Sequence, residues 1–272
     1  MKIFEIHEES QKSAVDKGRI QGYLFYYEKS RRFYIELVSS LDKWSAPALF
    51  YGHMKRKQYF VDSEWSMRWV RQRIIPAERQ NISAILRDNG LKSYDEYKLL
   101  ELSQGRCAQD DSYIVKITED KLPKEIKDRL ARKVRDVLTM SGHRVLVFFK
   151  DNSSKIVNIQ KLLKDTDIFS NVLASDEVYN SVKVSPGGNG IEWDEDRSIP
   201  AEILHKKGTS SLISYEDIIG FAERRLADTS EISETLGVSR QYIDQLVRQN
   251  KLHPVNHGAG IRFFAKAETE IG

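Results

Sequence analysis

Residues 229–264 read TSEISETLGVSRQYIDQLVRQNKLHPVNHGAGIRFF, and this stretch carries the most specific structural pattern in the chain. Ile232 and Leu236 fall on one face at helical spacing, together with Thr235. Gly237 can end that helix, because glycine tolerates the left-handed backbone that a sharp turn needs. The pattern predicts a short helix followed directly by a tight turn.

A second helix follows the turn. Thr229 or Ser230 can cap the first helix and Ser239 the second, since a side-chain oxygen there accepts a hydrogen bond from a free backbone N–H. Val238 is expected to fill the angle between the two helices. The apolar face of the second helix is predicted to consist of Tyr242 or Ile243, Leu246 and Val247.

The other side of the second helix is polar and suits a DNA major groove. Arg and Gln pair well with guanine and adenine edges, and the N-terminal part of such a helix normally meets the bases. The residues predicted to enter the groove are Ser239, Arg240, Gln241, Tyr242 and Gln245, and those predicted to contact phosphates are Arg248, Lys251, His257 and Arg262.

After Asn250 the sequence becomes strand-like. Two apolar runs, residues 252–255 and 261–264, flank the glycine-containing loop 256–260. A glycine-containing loop between apolar runs is typical of a hairpin. The pattern predicts a β-hairpin wing beside the second helix.

This segment resembles the MerR/excisionase class of winged helix-turn-helix domains. The resemblance is carried by Glu231–Leu236, by Gly237-Val238-Ser239-Arg240, by the helix to Asn250 and by the run from Leu252 to Phe263, about an eighth of the chain. It implies that the second helix and the wing bind DNA, and it names no operator.

The charge of the segment is modest. Residues 229–264 contain four Lys/Arg and three Asp/Glu. Neutralised phosphates usually dominate affinity for DNA, so a single copy is expected to bind weakly, and a homodimer or a second basic region is expected to assist. A protein-interaction module with the same two helices is the alternative.

The whole chain has 272 residues, of which 31% are charged and 40% hydrophobic, and a formal net charge of +3. This length predicts two or three domains. One cysteine, Cys107, and a start without signal-peptide features indicate a reducing cytoplasm. No apolar run is long enough to span a membrane, so no membrane partner is expected.

Residues 1–118 are predicted to form an α+β domain of unknown role. Residues 22–28 and 32–38 read as a hairpin, and 112–118 as a strand. The helices are predicted at 63–73, 77–89 and 94–103, and two short apolar runs lie at 48–51 and 59–61.

Residues 119–205 are predicted to form a basic connecting helix, from Leu122 to Gly142, and a small α+β domain. Residues 121–150 contain nine Lys/Arg and three Asp/Glu, whereas residues 151–202 contain five Lys/Arg and ten Asp/Glu. The basic and acidic stretches can simply be two solvated surfaces. Alternatively, the basic helix can add phosphate contacts or bind the acidic module of another subunit. Strands are predicted at 144–149, 155–159 and 182–184 and from residue 191, with one or two helices within 159–173.

Residues 143–205 resemble the family catalogued as domain of unknown function 2442. The resemblance is carried by the Val145–Phe149 strand, Asp151, the Lys155–Ile159 strand, Leu162-Leu163, Phe169, Asp176-Glu177-Val178-Tyr179, Val182-Lys183-Val184 and Gly190-Ile191-Glu192-Trp193. It implies a compact α+β module, often near or fused to a helix-turn-helix, and carries over no activity. The turn after Asp151 departs from the family in lacking its usual glycine.

Residues 212–272 are predicted to form the winged helix-turn-helix domain. The polar run His205–Ser211 is the best linker candidate. A helix capped at Ser214 and reaching Leu226 is expected to pack on the two helices that follow. The side chains expected to make this contact are Ile218, Ile219, Ala222 and Leu226.

A possible partner surface lies in the first domain. Arg68, Arg71, Arg73 and Arg79 are interleaved with Trp65, Trp69, Tyr59 and Phe60. Arginines beside aromatic rings can bind nucleic acid or an acidic peptide. The alternative is that the tryptophans are core residues and the arginines are solvated or paired with Glu64, Glu78 and Asp88.

Nothing in the sequence predicts catalysis, a cofactor or a metal site. Cys107 lies near Asp110 and Asp111, but no histidine is assigned to it as a base. The six histidines lack zinc spacing. Gly187-Gly188-Asn189-Gly190 lacks the Lys-Ser/Thr of a phosphate loop and is expected to be a turn.

Two functional hypotheses follow. The first is a sequence-specific DNA-binding transcription regulator whose upstream domains bind a partner, a ligand or a second copy. The second is an antitoxin or immunity-type protein whose N-terminal domains sequester another protein and whose DNA binding serves autoregulation.

Overall fold

The computed structural model of the chain describes residues 1–9, 19–41, 46–163, 167–256 and 260–268. Helices and antiparallel sheets are mixed along these residues, so the fold is α+β as predicted. Buried apolar side chains gather in three clusters, one each in an N-terminal, a middle and a C-terminal unit. Among the residues described, no helix combines the length and the apolar character needed to cross a membrane.

The N-terminal unit is built on a five-stranded antiparallel sheet. Its central strands bury side chains on both faces, which their run of aromatic and β-branched residues favours. The predicted hairpin is confirmed. The elements are β1 (Lys2–Glu8), β2 (Arg19–Tyr27), β3 (Arg32–Leu37), α1 (Tyr51–Lys55), β4 (Phe60–Val61), α2 (Ser63–Arg71), α3 (Ile82–Asp88), α4 (Glu96–Ser103) and β5 (Ser112–Ile117), in the sheet order β4-β3-β2-β1-β5.

One helix of this unit is shorter than predicted. The structure places α3 only at 82–88, whereas the sequence predicts a helix over 77–89. No side chain of α3 is fully buried, so little packing free energy supports a longer helix. The run Ala48–Phe50 forms a 3-10 turn that leads into α1.

The middle unit contains a four-stranded sheet and a three-stranded sheet. Its elements are α5 (Lys124–Ala131), β6 (Val134–Met140), β7 (Arg144–Phe149), β8 (Ser154–Asn158), α6 (Ile159–Leu163), α7 (Ser170–Ala174), α8 (Asp176–Asn180), β9 (Lys183–Val184), β10 (Gly190–Glu192), β11 (Ser198–Pro200), α9 (Ala201–Lys207) and β12 (Thr209–Ser210). The sheet orders are β12-β8-β7-β6 and β11-β10-β9.

The prediction of one basic helix from Leu122 to Gly142 is wrong beyond Ala131. Residues 134–140 form β6, which pairs antiparallel with β7 through a turn at 141–143. Gly142 and His143 adopt φ values of 71° and 50°, the left-handed backbone of a tight turn. The tertiary pairing with β7 overrides the helical spacing of the apolar residues in this stretch. In addition, Leu122 and Ile126 are buried in the N-terminal core, so α5 packs there.

The predicted linker His205–Ser211 is also wrong. Its first residues end α9, and Thr209 and Ser210 pair with β8 as an edge strand. Leu204, just before it, is fully buried in the middle core. The polar composition reflects exposure on one side of a sheet edge rather than a connection between units.

The turn after Asp151 is made without glycine. Asn152 adopts a φ of 63° there, a conformation that asparagine tolerates better than most residues. The Asp151 carboxylate accepts hydrogen bonds from the backbone N–H and hydroxyl of Ser153. The β7–β8 turn predicted from the sequence is therefore present.

The C-terminal unit begins at a helix with a capping box between Ser214 and Asp217. Ile219, one of the side chains expected to pack against the following helices, is 40% exposed. Leu226 leaves the helix and starts a strand. The elements are α10 (Tyr215–Arg225), β13 (Leu226–Asp228), α11 (Thr229–Leu236), α12 (Arg240–Arg248) and β14 (Phe263–Ala265).

The N-terminal and middle units meet across β3, whose alternate residues face opposite sides. Arg32 bonds to Glu192 at 2.7 Å, and the buried Glu36 carboxylate accepts from Lys133 Nζ at 2.5 Å and from Arg129 at 3.0 Å. Removing one partner of such buried pairs leaves an uncompensated charge. These polar contacts connect the two units.

The glycine run Gly187-Gly188-Asn189-Gly190 lies at this junction and forms the predicted turn. A Cβ on Gly187 would lie 2.1 Å from the Tyr27 ring, and one on Gly188 would lie 2.2 Å from the Val134 carbonyl oxygen. Both glycines have left-handed φ values, 73° and 79°. Close approach of the two units therefore requires glycine at 187, and packing of the turn against β6 within the middle unit requires it at 188.

Candidate nucleic-acid interface

The helix α11 is capped by a different residue from the ones the sequence predicts. Asp228, rather than Thr229 or Ser230, is the N-cap residue of α11, and its carboxylate accepts from the backbone N–H groups of Ser230 and Glu231. These bonds lower the pKa of Asp228. The helix ends at Gly237 with a φ of 65°, as predicted.

The second helix, α12, follows after two residues. The Ser239 hydroxyl accepts from the backbone N–H of Tyr242 at 3.2 Å, so this serine caps the helix as predicted. Ser233 bonds through its hydroxyl to the Val238 carbonyl at 2.5 Å and fixes the turn between the helices. Of the two alternatives for the apolar face, Ile243 is fully buried and Tyr242 is 46% exposed.

A small core holds α12 in place. Ile243 packs with Ala227, Ile232, Leu252 and Phe264, and each of these is at most 3% exposed. These residues come from α11, α12, β13 and β14 and from the segment that follows α12. The core thus orients the opposite side of α12 toward solvent.

Seven of the nine residues predicted to contact DNA are exposed. They are Ser239, Arg240, Gln241, Tyr242, Gln245, Arg248 and Lys251. Arg262 is half-buried, and His257 lies outside the described residues.

The structure adds one residue to the exposed face of α12. Gln241, Asp244, Gln245 and Arg248 line a shallow hollow of about 340 Å³. Their spacing places them on one side of the helix, opposite Ile243. Arg240 and Tyr242 flank that side. Asp244 is not among the residues that the sequence predicts to contact DNA.

Asp244 has a partner on the neighbouring segment. Arg262 Nη1 donates to its Oδ1 at 2.6 Å. Arg262 is therefore placed next to the exposed face, but its charge is compensated there. The local excess of positive charge is smaller than a count of arginines suggests.

The predicted hairpin is only partly formed by the residues expected. The strand β14 pairs with β13 in antiparallel register, from Leu226 with Ala265 to Asp228 with Phe263. The run 252–255 contributes a single bridge, Pro254 with Phe264, because proline has no N–H to extend a ladder.

The Asn256 side chain bonds to the backbone at and just before the start of β14. Asn256 Nδ2 donates to the Ile261 carbonyl, and its Oδ1 accepts from the Phe263 N–H, each at 2.8 Å. The Val255 N–H also donates to the Phe263 carbonyl at 2.7 Å. Residues 255 and 263 therefore run beside each other, next to α12.

The four arginines of the possible partner surface do not lie together on one surface. Arg73 is buried, stacks 3.7 Å from the Trp69 ring centroid and bonds to Asp110 at 2.5 Å, so its inclusion was wrong. Arg68 is exposed and pairs with Glu64 at 2.6 Å. Arg71 and Arg79 are exposed.

The same ion pair accounts for the cluster near the only cysteine. Burial would raise the pKa of Asp110, but the Arg73 charge and hydrogen bonds from Ser112 outweigh it and lower that pKa. The Cys107 sulfur lies 3.7 Å from the same carboxylate. In the described ranges, no group of three His, Cys, Asp or Glu side chains is arranged to hold a metal ion.

Comparisons of the chain with protein-family models, curated proteins and solved structures found no match. Both family resemblances therefore remain predictions.

Proposed function

We propose that the chain is a cytoplasmic, sequence-specific DNA-binding transcription regulator that uses its C-terminal unit as a winged helix-turn-helix. The observation that carries the proposal is the exposed side of α12. Gln241, Gln245 and Arg248 project from one side of a helix whose opposite side is fixed by the buried Ile243. Glutamine is suited to reading adenine edges, and an arginine at the end of the helix is suited to meeting phosphates.

The surroundings of α12 support the same interpretation. Its first turn is capped by Ser239 and free of acidic residues, and Arg240 and Tyr242 flank it in exposed positions. The segment with Arg262 lies beside the helix through the bond to Asp244. A major groove of about 12 Å admits one helix, with the neighbouring segment along the phosphates.

The weak charge of the unit favours a homodimer. Arg262 is paired with Asp244, so Arg248 and Lys251 are the best placed of the residues predicted to contact phosphates. Few neutralised phosphates give a weak salt-dependent affinity. Two copies would bind two half-sites spaced by about one helical turn of DNA.

A protein partner, as in an antitoxin or immunity-type protein, is the second candidate. It is favoured by exposed apolar side chains at and before α10, where Leu212 is fully exposed and Phe221 is 58% exposed. Exposed apolar residues that lie near one another often mark an interaction surface. Purification of the chain from its host would distinguish the candidates by what co-purifies, nucleic acid or one stoichiometric protein.

Selection of bound duplexes from a random pool, repeated at two salt concentrations, tests the main proposal. We expect a defined motif, and we expect Arg240→Ala to lose about 1–3 kcal/mol on that motif and to relax the base choice. Gln109→Ala, at an exposed position of the N-terminal unit, is the control. An unenriched pool would reject specific DNA binding, and an equal loss on all sequences would remove Arg240 from base recognition.

A further inference from the structure

A cleft of about 660 Å³ lies between the N-terminal and middle units. Strands β3 and β4 and the start of α2 line one side, and residues 189–200 line much of the other. Six carboxylate side chains border it, against the two arginines Arg32 and Arg197. We refer to it as the acidic cleft, and its carboxylates are Asp62, Glu64, Glu192, Asp194, Glu195 and Asp196.

Several of these carboxylates are already compensated. Arg32 donates to Glu192 at 2.7 Å and to Glu195 at 3.0 Å, and Arg197 pairs with Asp194. Glu64 is paired with Arg68 outside the cleft.

Two carboxylates remain without a cation. Asp62 accepts the backbone N–H of Trp65 as the cap of α2, and within the described ranges neither Asp62 nor Asp196 forms an ion pair. The cleft therefore keeps a net negative charge that a cationic ligand would offset.

An unsatisfied hydroxyl provides an independent indication of a ligand. Ser185 lines the acidic cleft and is only 5% exposed, and its Oγ has no hydrogen-bond partner in the described part of the chain. Its backbone groups are satisfied, since the N–H donates to the Gly190 carbonyl and the carbonyl accepts from the Gly188 N–H. A buried hydroxyl without a partner is costly, so a donor or acceptor from a ligand would stabilise it.

Part of the remaining wall is apolar, beside the polar side chains Ser63, Asn171, Asn189 and Ser198. Phe60, Ile168, Ile199 and Pro200 line the same space as the carboxylates, and Ile168 is 53% exposed at its rim. Such walls can pack against methylene groups while the polar atoms bind charged ends. Ligand pockets commonly combine a mostly apolar lining with a few placed polar groups.

We propose that the acidic cleft binds an aliphatic polyamine. Ammonium and secondary ammonium groups carry N–H donors for Asp62, Asp196 and the Ser185 hydroxyl, and the methylene segments between them fit Phe60 and Ile168. A hard divalent cation fits less well, because it needs several oxygen ligands at fixed short distances. The described residues contain no group of three His, Cys, Asp or Glu side chains that could hold a metal ion.

Calorimetric titration of the full chain with spermidine tests the site. We expect saturable binding of one ligand per chain, and Asp62→Asn and Asp196→Asn should each weaken it by about tenfold, the loss expected for one charge-assisted hydrogen bond. Asparagine preserves the cap of α2, so the first variant should fold. Asp88→Asn removes the same charge from an exposed carboxylate outside the cleft and should leave the affinity unchanged.

Ser185→Ala tests whether the hydroxyl contributes to ligand binding without contributing to stability. Because the hydroxyl has no partner, its removal should not lower the midpoint of thermal unfolding, yet it should weaken spermidine binding. Choline, which has no N–H donor, should not bind. The proposal is overturned if spermidine shows no saturable heat, if Asp88→Asn weakens binding as much as the cleft variants do, or if Mg²⁺ binds the cleft in preference to spermidine. None of these measurements depends on DNA binding.

Discussion

Arg262 donates through Nη1 to Oδ1 of Asp244 at 2.6 Å and joins the segment before β14 to the exposed side of α12. The two side chains are 42% and 48% exposed. An ion pair with this degree of solvent exposure contributes about 0–1 kcal/mol to stability. The pair therefore mainly fixes the position of Arg262 and reduces the local positive charge.

Asp244→Asn tests this interpretation. The variant should change the free energy of unfolding by less than about 1 kcal/mol. Under the proposed function it should bind all duplexes more tightly and with a steeper salt dependence, because a negative charge leaves the interface and Arg262 can reach a phosphate. Fluorescence anisotropy at several salt concentrations measures both. Glu234→Gln, on α11, is the control, and weaker DNA binding by Asp244→Asn would contradict the assigned geometry.

Gly187→Ala should destabilise the junction between the N-terminal and middle units. The new Cβ would lie 2.1 Å from the Tyr27 ring, and the residue would also keep a left-handed backbone, φ 73°. We expect a loss of about 2–4 kcal/mol from the clash and the backbone strain together. Gly90 has a similar φ of 69° and nothing within 4 Å of an added Cβ, so Gly90→Ala isolates the backbone contribution, about 1–2 kcal/mol. Equal losses in denaturant titrations would show that the junction does not need this glycine.

His53 should make stability depend on pH in a narrow range. Burial lowers its pKa, which the nearby Asp62 opposes only in part, and its ring packs edge-on against Phe50 and Trp65. The unfolded chain therefore binds the proton more readily, so stability decreases as the pH falls through about 6.5. The same sign applies to His205, whose pKa burial also lowers.

Thermal unfolding between about pH 7.5 and pH 5 measures this dependence, above the range in which carboxylates titrate. His53→Phe should flatten the curve and His205→Gln should flatten it further. An unchanged pH dependence in the first variant would show that His53 is protonated as easily in the folded chain as in the unfolded one.

The sequence was most informative where the structural signal is local. Gly237 and Ser239 mark the turn between α11 and α12 because one residue needs a left-handed backbone and the next helix needs a cap. Both requirements are met within a few residues of chain. For the same reason, the exposed residues of α12 could be named in advance, whereas the pairing of Asp244 with Arg262 could not.

Elements decided by pairing with another segment were predicted poorly. The stretch 134–140 has apolar residues at helical spacing, yet it is a strand because β7 is available as a partner. Likewise, β14 pairs in register with β13, which lies before α11 and α12, and forms only a single bridge with the nearby run 252–255. Arg32 and Glu36 lie at alternate positions of β3, but only the folded chain shows that Glu192 and Lys133 meet them.

The buried pair of Arg73 and Asp110 gives a further stability prediction. The guanidinium is fully buried against Trp69, so Asp110→Ala would leave its charge uncompensated. We expect a loss of about 3–5 kcal/mol in the free energy of unfolding. Asp111→Ala, an exposed neighbour, should change it by less than about 0.5 kcal/mol. A small effect of Asp110→Ala in urea titrations would mean that water or another acceptor reaches Arg73.

Finally, the residues on the exposed side of α12 are predicted to contribute differently to DNA binding. Gln241 and Gln245 lie one turn apart on that side, so each alanine variant should lose about 1–3 kcal/mol on the selected site and little on random DNA. Arg248 lies at the end of the helix, where a side chain meets the backbone rather than the bases. Arg248→Ala should therefore weaken binding to every duplex and reduce the salt slope by about one. Titrations of selected and scrambled duplexes at several salt concentrations measure both quantities. If the glutamine variants lost the same affinity on both duplexes, α12 would be contacting phosphates alone, and sequence recognition would have to come from another part of the chain.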